Sequence, residues 1–338
     1  MSELGEKEKD FCALTRADAA ERLLKSHRAL ILFHVHPDGD AAGSAFALRA
    51  FLEDMGKSAR CVCADEMPER LLFLSEEQES VLPDTVPADF DADLIVTVDT
   101  ASPSQMGALF EKFGDRVDLM IDHHGKGTPY ADYCVEPDSS ASGEVLYEIL
   151  SLAAEKCGRE LSLRVCERLY AAISSDTGCF KYSNTTSVTH GIVAKLLEAG
   201  VSHADINHRL FGIKTLKQMQ VEHAGFERMN LHCDGRMAVI TFPYDLKKQY
   251  GAEDEDLETL IDVARCIKGV QIAAVIKQPT AENRFRVSLR SSTDLDVSEI
   301  ASQYGGGGHK KAAGCTVMAD SILSAEMTVV MVVEQKLN

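Results

Sequence analysis

Tryptophan is absent from the chain, and aromatic residues make up only 6% of it, which removes the stacking platform on which proteins hold long single strands. Positive charge is short as well. The 35 Lys and Arg stand against 53 Asp and Glu, a formal net charge of −18. Coating a long nucleic acid takes many phosphate contacts by Lys and Arg, so that class is excluded, and long duplexes with it. No apolar run reaches the roughly 20 residues that cross a bilayer, and no membrane partner is expected. The ten cysteines form no CxxC pair, and the one close pair, Cys61 and Cys63, sits inside a strand-like run. Reduced, mostly buried thiols are expected rather than a disulfide framework. The first ten residues, MSELGEKEKD, are charged and have no signal-type apolar core behind them, so the expected location is the cytoplasm.

What remains is a globular composition, 45% hydrophobic and 26% charged, on 338 residues, long enough for two domains that each bury a core. The charge is uneven: residues 1–229 hold 23 basic and 38 acidic side chains, a balance of −15, while residues 230–338 hold 12 and 15, a balance of −3. Through the first part the strand-like runs ALILFHV, RCVCAD, DLIVTVD, VDLMIDHH and DYCVEP alternate with helical sequence such as AAGSAFALRAFLEDMG. That alternation predicts an α/β fold with a mainly parallel sheet covered by helices. From about Ser142 to Ala199 the period is helical, and IKTLKQMQVEHAGFERMN then reads as a connector. A second β-rich pattern, RMAVITF, VQIAAVIKQ, RFRVSLRSS and CTVMAD, with an acidic helix near EDEDLETLIDVAR, predicts a smaller C-terminal α/β domain. The expected boundaries are 1–212, 213–230 for a connector helix, and 231–338.

Ionisable side chains gather where such a sheet makes sites. HVHPDGDAAGS, residues 34–44, puts His34 at the carboxyl end of the first strand and Asp38 and Asp40 in the loop entering the next helix, and parallel α/β sheets bind ligands beyond those strand ends. DLIVTVD ends on Asp99, VDLMIDHH on Asp122, His123 and His124, and the helix SLRVCERLYAAISSD on Asp176. One such Asp is ordinarily a helix cap or a turn residue; four coincidences in one layout point to a shared pocket. Carboxylates that close cannot stay ionised together without cations. Oxygen-rich ligation with a minority of imidazole favours Mn²⁺ or Mg²⁺, with Fe²⁺ and Co²⁺ as alternatives, over structural zinc. In the second part, the run GGGGH at 305–309 has backbone N–H groups able to form an anion-binding nest, and Arg284, Arg286 and Arg290 fall on one face of their strand by alternation.

HVHPDGDAAGS, VDTAS, DHH and SSDTGCF, in that order, resemble the four motifs of the DHH phosphoesterase superfamily, and GGGGHKKAAG at 305–314 resembles the signature of its associated C-terminal domain. Length and layout resemble the NrnA-like branch, oligoribonucleases that also remove the 3′-phosphate of adenosine 3′,5′-bisphosphate (pAp). The resemblance implies a DHH metal-binding catalytic domain, a DHH-associated substrate-binding domain and an active site in the cleft between them. It implies two divalent ions, one held by His34, Asp38 and Asp99 and the other by Asp40, Asp99, His123 and Asp176, with Asp99 bridging. Asp122 would orient an imidazole, and His124 would face the phosphate as charge stabiliser or proton donor. His36 falls where the family pattern varies and is left out of the ligand set. Arg290, Gly305, Gly306, Gly307, Gly308 and His309 would meet the substrate. The implied partners are short single-stranded RNA, pAp or cyclic-dinucleotide products. A cyclic di-AMP or pApA phosphodiesterase is the alternative activity, followed by a RecJ-type exonuclease or a pyrophosphatase, and a homodimer is left open.

Overall fold

The computed structural model describes residues 11–75, 81–87 and 89–337, so the charged first ten residues, part of the case for a cytoplasmic location, lie outside the described residues. The chain divides into two compact units, Met1–Ile213 and Lys214–Asn338. Among the described residues no helix is long and apolar enough to cross a membrane.

In the first unit, β1 (Arg28–Leu32), β2 (Ser58–Val62), β3 (Leu94–Val98), β4 (Leu119–Asp122) and β5 (Asp132–Val135) form one sheet in the order β2-β1-β3-β4-β5, parallel throughout. Alternation sorts the strand residues between two cores. Ile31, Val96, Val98 and Ile121 face α1 (Arg16–Lys25), α2 (Gly39–Asp54), α4 (Ser142–Lys156), α5 (Leu163–Asp176), α6 (Ser187–Glu198) and α7 (His203–Asn207). Leu30, Leu32, Ile95 and Met120 face the other way, onto α3 (Ala108–Phe113) and Tyr130. A parallel sheet covered on both faces needs strands that are apolar almost end to end, which is what LIVTV and its neighbours supply. The strand order turns at β1, so the crevice between β1 and β3 is the topological switch point where ligands of such sheets collect.

Helices α2 and α5 pack unusually close. A Cβ at Gly43 would lie 2.7 Å from the Arg168 carbonyl oxygen and 2.9 Å from the Ala172 Cβ, so the glycine of DAAGS lets the two backbones approach. That approach brings the start of α2, with Asp40, to the end of α5, with Asp176.

The second unit is a six-stranded mixed sheet of β6 (Met229–His232), β7 (Met237–Phe242), β8 (Ile272–Lys277), β9 (Arg284–Ser291), β10 (Gly307–His309) and β11 (Ala312–Met318), in the order β10-β11-β9-β8-β7-β6. Met237, Val239, Phe285 and Leu289 pack with α11 (Val297–Ser302) and α12 (Ile322–Leu337). On the opposite face Ala238, Ile240 and Val275 pack with α8 (Leu216–Glu227), α9 (Tyr244–Tyr250) and α10 (Leu260–Arg265). Val221 and Ala224 of α8 are buried in this second core. The stretch that reads as a connector is therefore built into the second unit by its own apolar face. The acidic stretch ahead of α10 forms a short 3₁₀ turn, Glu255–Leu257, in place of a continuous helix.

All ten cysteines are free of disulfides. Cys61, Cys63, Cys134 and Cys166 are buried, whereas Cys12, Cys157 and Cys266 are exposed. The expectation of mostly buried thiols thus holds only where strand or helix periodicity turns the residue inward.

Candidate metal centre

The carboxyl ends of β1, β3 and β4 and the facing ends of α2 and α5 bring seven ionisable side chains together. His34 follows β1, and its Nδ1–H donates to the Val35 carbonyl at 2.8 Å. That leaves Nε2 facing two carboxylates, 3.4 Å from Asp99 Oδ2 and 3.8 Å from Asp38 Oδ1. Asp38 is the N-cap of α2, and its Oδ1 accepts the backbone N–H of Asp40 and of Ala41, both at 3.0 Å. Asp99 follows β3 with φ +52°, a left-handed conformation that Asp tolerates better than branched residues do. Its other oxygen, Oδ1, lies 3.8 Å from His123 Nε2. His123 Nε2 is also 3.9 Å from Asp40 Oδ2 and 3.6 Å from Asp176 Oδ2.

Three sets of donor atoms, each within 4.8 Å of one another, emerge among the described residues: His34, Asp38 and Asp99; Asp40, His123 and Asp176; and Asp99, His123 and His124. The first set holds the residues expected for one ion and the second holds those expected for the other apart from Asp99, whose two oxygens face His34 on one side and His123 on the other. Oxygen donors outnumber imidazoles in both, the chemistry of a hard divalent cation. The residues present therefore fit two such ions.

The electrostatics of the metal-free cluster express the same demand. Burial, together with the charges of Asp99, Asp176 and Asp38, raises the Asp40 carboxyl well above its usual range. Burial likewise pushes Asp176 up to about 7, with Asp38 and Asp99 adding to it and His123 opposing. Burial works against the charged forms of Asp99 and Asp38 too and is the largest single influence, but the neighbouring groups together outweigh it: His34 and His123 for Asp99, which is lowered, and His34 with the N–H groups of Asp40 and Ala41 for Asp38, which is held at about 2. Desolvation would lower His34, yet the same two carboxylates push it up to about 12. The cluster thus keeps protons where a cation would otherwise balance the charge.

Asp122, at the end of β4, contributes no atom to these three sets. Its Oδ1 accepts from His124 Nδ1 at 2.7 Å and from the backbone N–H of His123 at 2.8 Å, so the imidazole it orients is that of His124. Against desolvation, Asp122 pushes His124 up to about 9. His36 stands away from the cluster, exposed, with its ring 3.1 Å from Asp65.

Four supports carry no mark in the motifs. The N-terminus of α4 caps the site: the N–H of Ser142 donates to Asp40 Oδ2 at 2.7 Å and that of Gly143 to Asp40 Oδ1 at 2.9 Å. Ser142 Oγ donates to Asp99 Oδ1 at 2.9 Å. Asn184 Nδ2 donates to the carbonyls of Ser140 and Asp176, at 2.9 and 3.1 Å, holding the two chain segments together. His123 Nδ1–H donates to the Ser139 carbonyl at 3.2 Å. The available signal was SSASG at 139–143, small polar residues ahead of a helix that follows a sheet strand, as anion-handling helix N-termini often are.

In the second unit, Arg284, Arg286 and Arg290 do share one face of β9, opposite the buried Phe285, Val287 and Leu289. Arg286 meets Asp254 at 3.2 Å, and Arg290 donates to its neighbour's carbonyl, Leu289 O, at 3.1 Å. The glycine run is not an open loop. Gly307–His309 is an edge strand paired with β11, and the register sets His309 opposite Ala312, itself opposite Arg290. A Cβ at Gly306 would lie 2.1 Å from the Gly314 carbonyl oxygen, and one at Gly308 2.5 Å from that of Ala312. These two glycines are required by close approach to β11 before any ligand is considered. Gly305, at φ +69°, makes the turn into the strand. The side chain of His309 lies outside the described residues.

The family model described as the DHH family, N-terminal domain, matches residues 28–173, and that of the DHHA1 domain matches residues 234–335. The chain is 29% identical to the bifunctional oligoribonuclease and PAP phosphatase NrnA of Thermus thermophilus, over 91% of this chain and 89% of that protein. It is 27% identical to the protein of the same name from Bacillus subtilis, over 90% and 95%. Among solved structures, an exopolyphosphatase-related protein from Bacteroides fragilis superposes with a TM-score of 0.85 at 20% identity, covering 95% of this chain and 96% of that one, which establishes the fold. With cluster, fold and both family matches in agreement, the chain carries a DHH family N-terminal domain over residues 28–173 and a DHHA1 domain over residues 234–335.

Proposed function

We propose that the protein is a metal-dependent phosphoesterase that degrades very short oligoribonucleotides to 5′-mononucleotides and removes the 3′-phosphate of pAp. The observation that carries this reading is Asp99, whose two carboxylate oxygens face two separate donor sets, with His34 on one side and His123 on the other. Relatives named for both activities align with nearly the whole chain. Two divalent ions, Mn²⁺ first among them, would be held by His34, Asp38 and Asp99 and by Asp40, Asp99, His123 and Asp176, and when bound they supply positive charge at the phosphoryl group and acidify water. The protein's own part is orientation. Backbone N–H groups of α2 and α4 fix Asp38 and Asp40, and Asp122 fixes the His124 ring, whose role is to hold or donate a proton at a phosphate oxygen. Arg290, Gly305–Gly308 and His309 bind the nucleotide.

One assay with Mn²⁺ on pAp, pApA, cyclic di-AMP, pyrophosphate, short RNA and a longer single strand tests the reading. The expected ranking places pAp and RNA of about two to five nucleotides first. Rates should fall with length, most steeply at low salt, because a chain of net charge −18 repels a long polyanion when screening is weak. Undiminished processive digestion of long strands would overturn the assignment, as would activity on cyclic di-AMP with none on pAp.

A further inference from the structure

Glu144 stands in the first turn of α4 and is only 4% exposed. Among the described residues no Lys, Arg or His pairs with it. Its Oε2 accepts three neutral donors instead: Ser140 Oγ at 2.5 Å, the Ser140 N–H at 3.3 Å and Thr189 Oγ1 at 3.0 Å. Thr189 lies in the first turn of α6, so one carboxyl ties together the starts of two helices, where the helix dipole favours an acidic group. Burying a carboxyl is costly even when hydrogen bonds offset it. An apolar side chain would close the same contact without that cost, but it would not hold Ser140.

Ser140 is fully buried and has every polar group engaged. Its N–H and hydroxyl go to Glu144, and its carbonyl accepts from Asn184 Nδ2 at 2.9 Å. From this pinned residue the backbone reaches all three donors of one metal set. Just before it, the Ser139 carbonyl accepts from His123 Nδ1–H at 3.2 Å, which leaves Nε2 facing Asp40 and Asp176. Just after it, the N–H groups of Ser142 and Gly143 hold Asp40. Across from it, Asn184 donates to the Asp176 carbonyl at 3.1 Å. The other set is anchored elsewhere, His34 by the Val35 carbonyl and Asp38 by the N–H groups of Asp40 and Ala41.

We propose that Glu144 is a positioning residue for one ion only: by pinning Ser140 it aims the Ser139 carbonyl, fixes the His123 ring and sets the affinity of the site formed by Asp40, His123 and Asp176. The inference rests on the two-ion reading given above.

The full chain, stripped of metal with a chelator and titrated with Mn²⁺ in a calorimeter, gives the test, with melting temperatures recorded beside it. Wild type should take up two ions. Glu144→Met keeps the volume and removes the acceptor. It should weaken one ion by about tenfold or more, the range for groups that orient a ligating imidazole, and the other by less than about twofold. The ion affected should be the one that Asp176→Asn also weakens. Glu144→Gln, which returns an acceptor oxygen, should restore most of the lost affinity.

Two ions bound by Glu144→Met as tightly as by wild type, or both weakened alike together with the melting temperature, would overturn the proposal and leave the two-ion reading standing. Fewer than two ions on the wild type would take down that reading and the proposal with it. Should Glu144→Met unfold, Ser140→Ala removes only the shortest of the three bonds and should show the same one-sided loss at about threefold; unchanged affinity there would be equally damaging.

Discussion

In the first unit the ionisable side chains stand at strand ends, and carboxylates and imidazoles face one another at 3.4 to 3.9 Å. In the second they stand along a strand, and three arginines share one face of β9. The difference follows from the sheets. All carboxyl ends of a parallel sheet lie at one edge, so residues distant in sequence converge there from several strands. Neighbouring strands of a largely antiparallel sheet end at opposite edges, so a site is more readily assembled across a face, by alternation and register. The first arrangement concentrates negative charge that cations would balance; the second lines positive charge along one strand face.

Breaking the first arrangement should have the largest effect. Asp99→Asn removes the carboxylate that serves both donor sets, and activity with Mn²⁺ should fall by roughly a thousandfold, about 4 kcal/mol of transition-state stabilisation. Calorimetric titration should show both metal affinities weakened. The fold should remain, with unchanged or higher thermal stability without metal, since one member of a repelling cluster is neutralised. Near wild-type metal content with retained turnover would refute the bridging role.

The second arrangement should break differently. Arg290→Ala and His309→Ala should lower kcat/KM on nucleotides by roughly ten- to a hundredfold, the 1.5 to 3 kcal/mol typical of a hydrogen bond to a charged group, with metal titrations superimposable on wild type. Equal loss of metal in these variants would erase the distinction between the two units.

A smaller effect separates ligands from their supports. Ser142→Ala deletes the hydroxyl that donates to Asp99 but keeps the N–H that donates to Asp40. Metal affinity should weaken by about 1 kcal/mol, roughly fivefold, with Tm and kcat at saturating metal close to wild type. An effect as large as that of Asp99→Asn would make Ser142 more than a support.

The gentlest perturbation is pH. Asp176 is pushed up to about 7, His124 to about 9 and His34 to about 12 in the metal-free protein, against ordinary values near 4 for the carboxyl and 6.5 for imidazole. All three hold protons more tightly folded than unfolded. The metal-free fold should therefore lose stability as pH rises, the Asp176 share between about 4 and 7 and the histidine shares from about 6.5 upward, through 9 for His124. Metal bound by His34 and Asp176 would displace their protons, so its affinity should rise over the same interval. Melting temperatures of chelated protein should be higher near pH 6 than near pH 9 and Mn²⁺ affinities should run in the opposite order; a flat pair of profiles would show that the cluster holds no excess protons.

Much of this was legible in the chain itself because it is written in local periodicity. The five strands of the first sheet coincide with LIVTV-like runs, and their ends coincide with His34, Asp99 and Asp122 through His124. Other elements escaped notice. Helix α1 is announced by a capping box, Thr15 with Asp18, a signal that was there to be used. β6 is a four-residue edge strand with Asn230 and Leu231 exposed, too short and too polar for alternation to declare it. In β10, glycines mask the strand, since they have no side chains to alternate.

Sequence alone determined which residues carry charge and are of a kind able to hold a metal, and that they fall at the ends of strands and helices, because side-chain type and period 2 or 3.6 are properties of a short stretch of chain. Only the tertiary structure decided that Ser142 and Gly143, some 102 residues beyond Asp40, fix its two oxygens. The same holds for the choice of His124 as the ring that Asp122 orients and for the commitment of Gly306 and Gly308 to close packing against β11. Such contacts depend on where helices come to rest on the sheet, and that is set by the fit of buried surfaces such as Gly43 against α5, a relation between distant segments that no local pattern encodes.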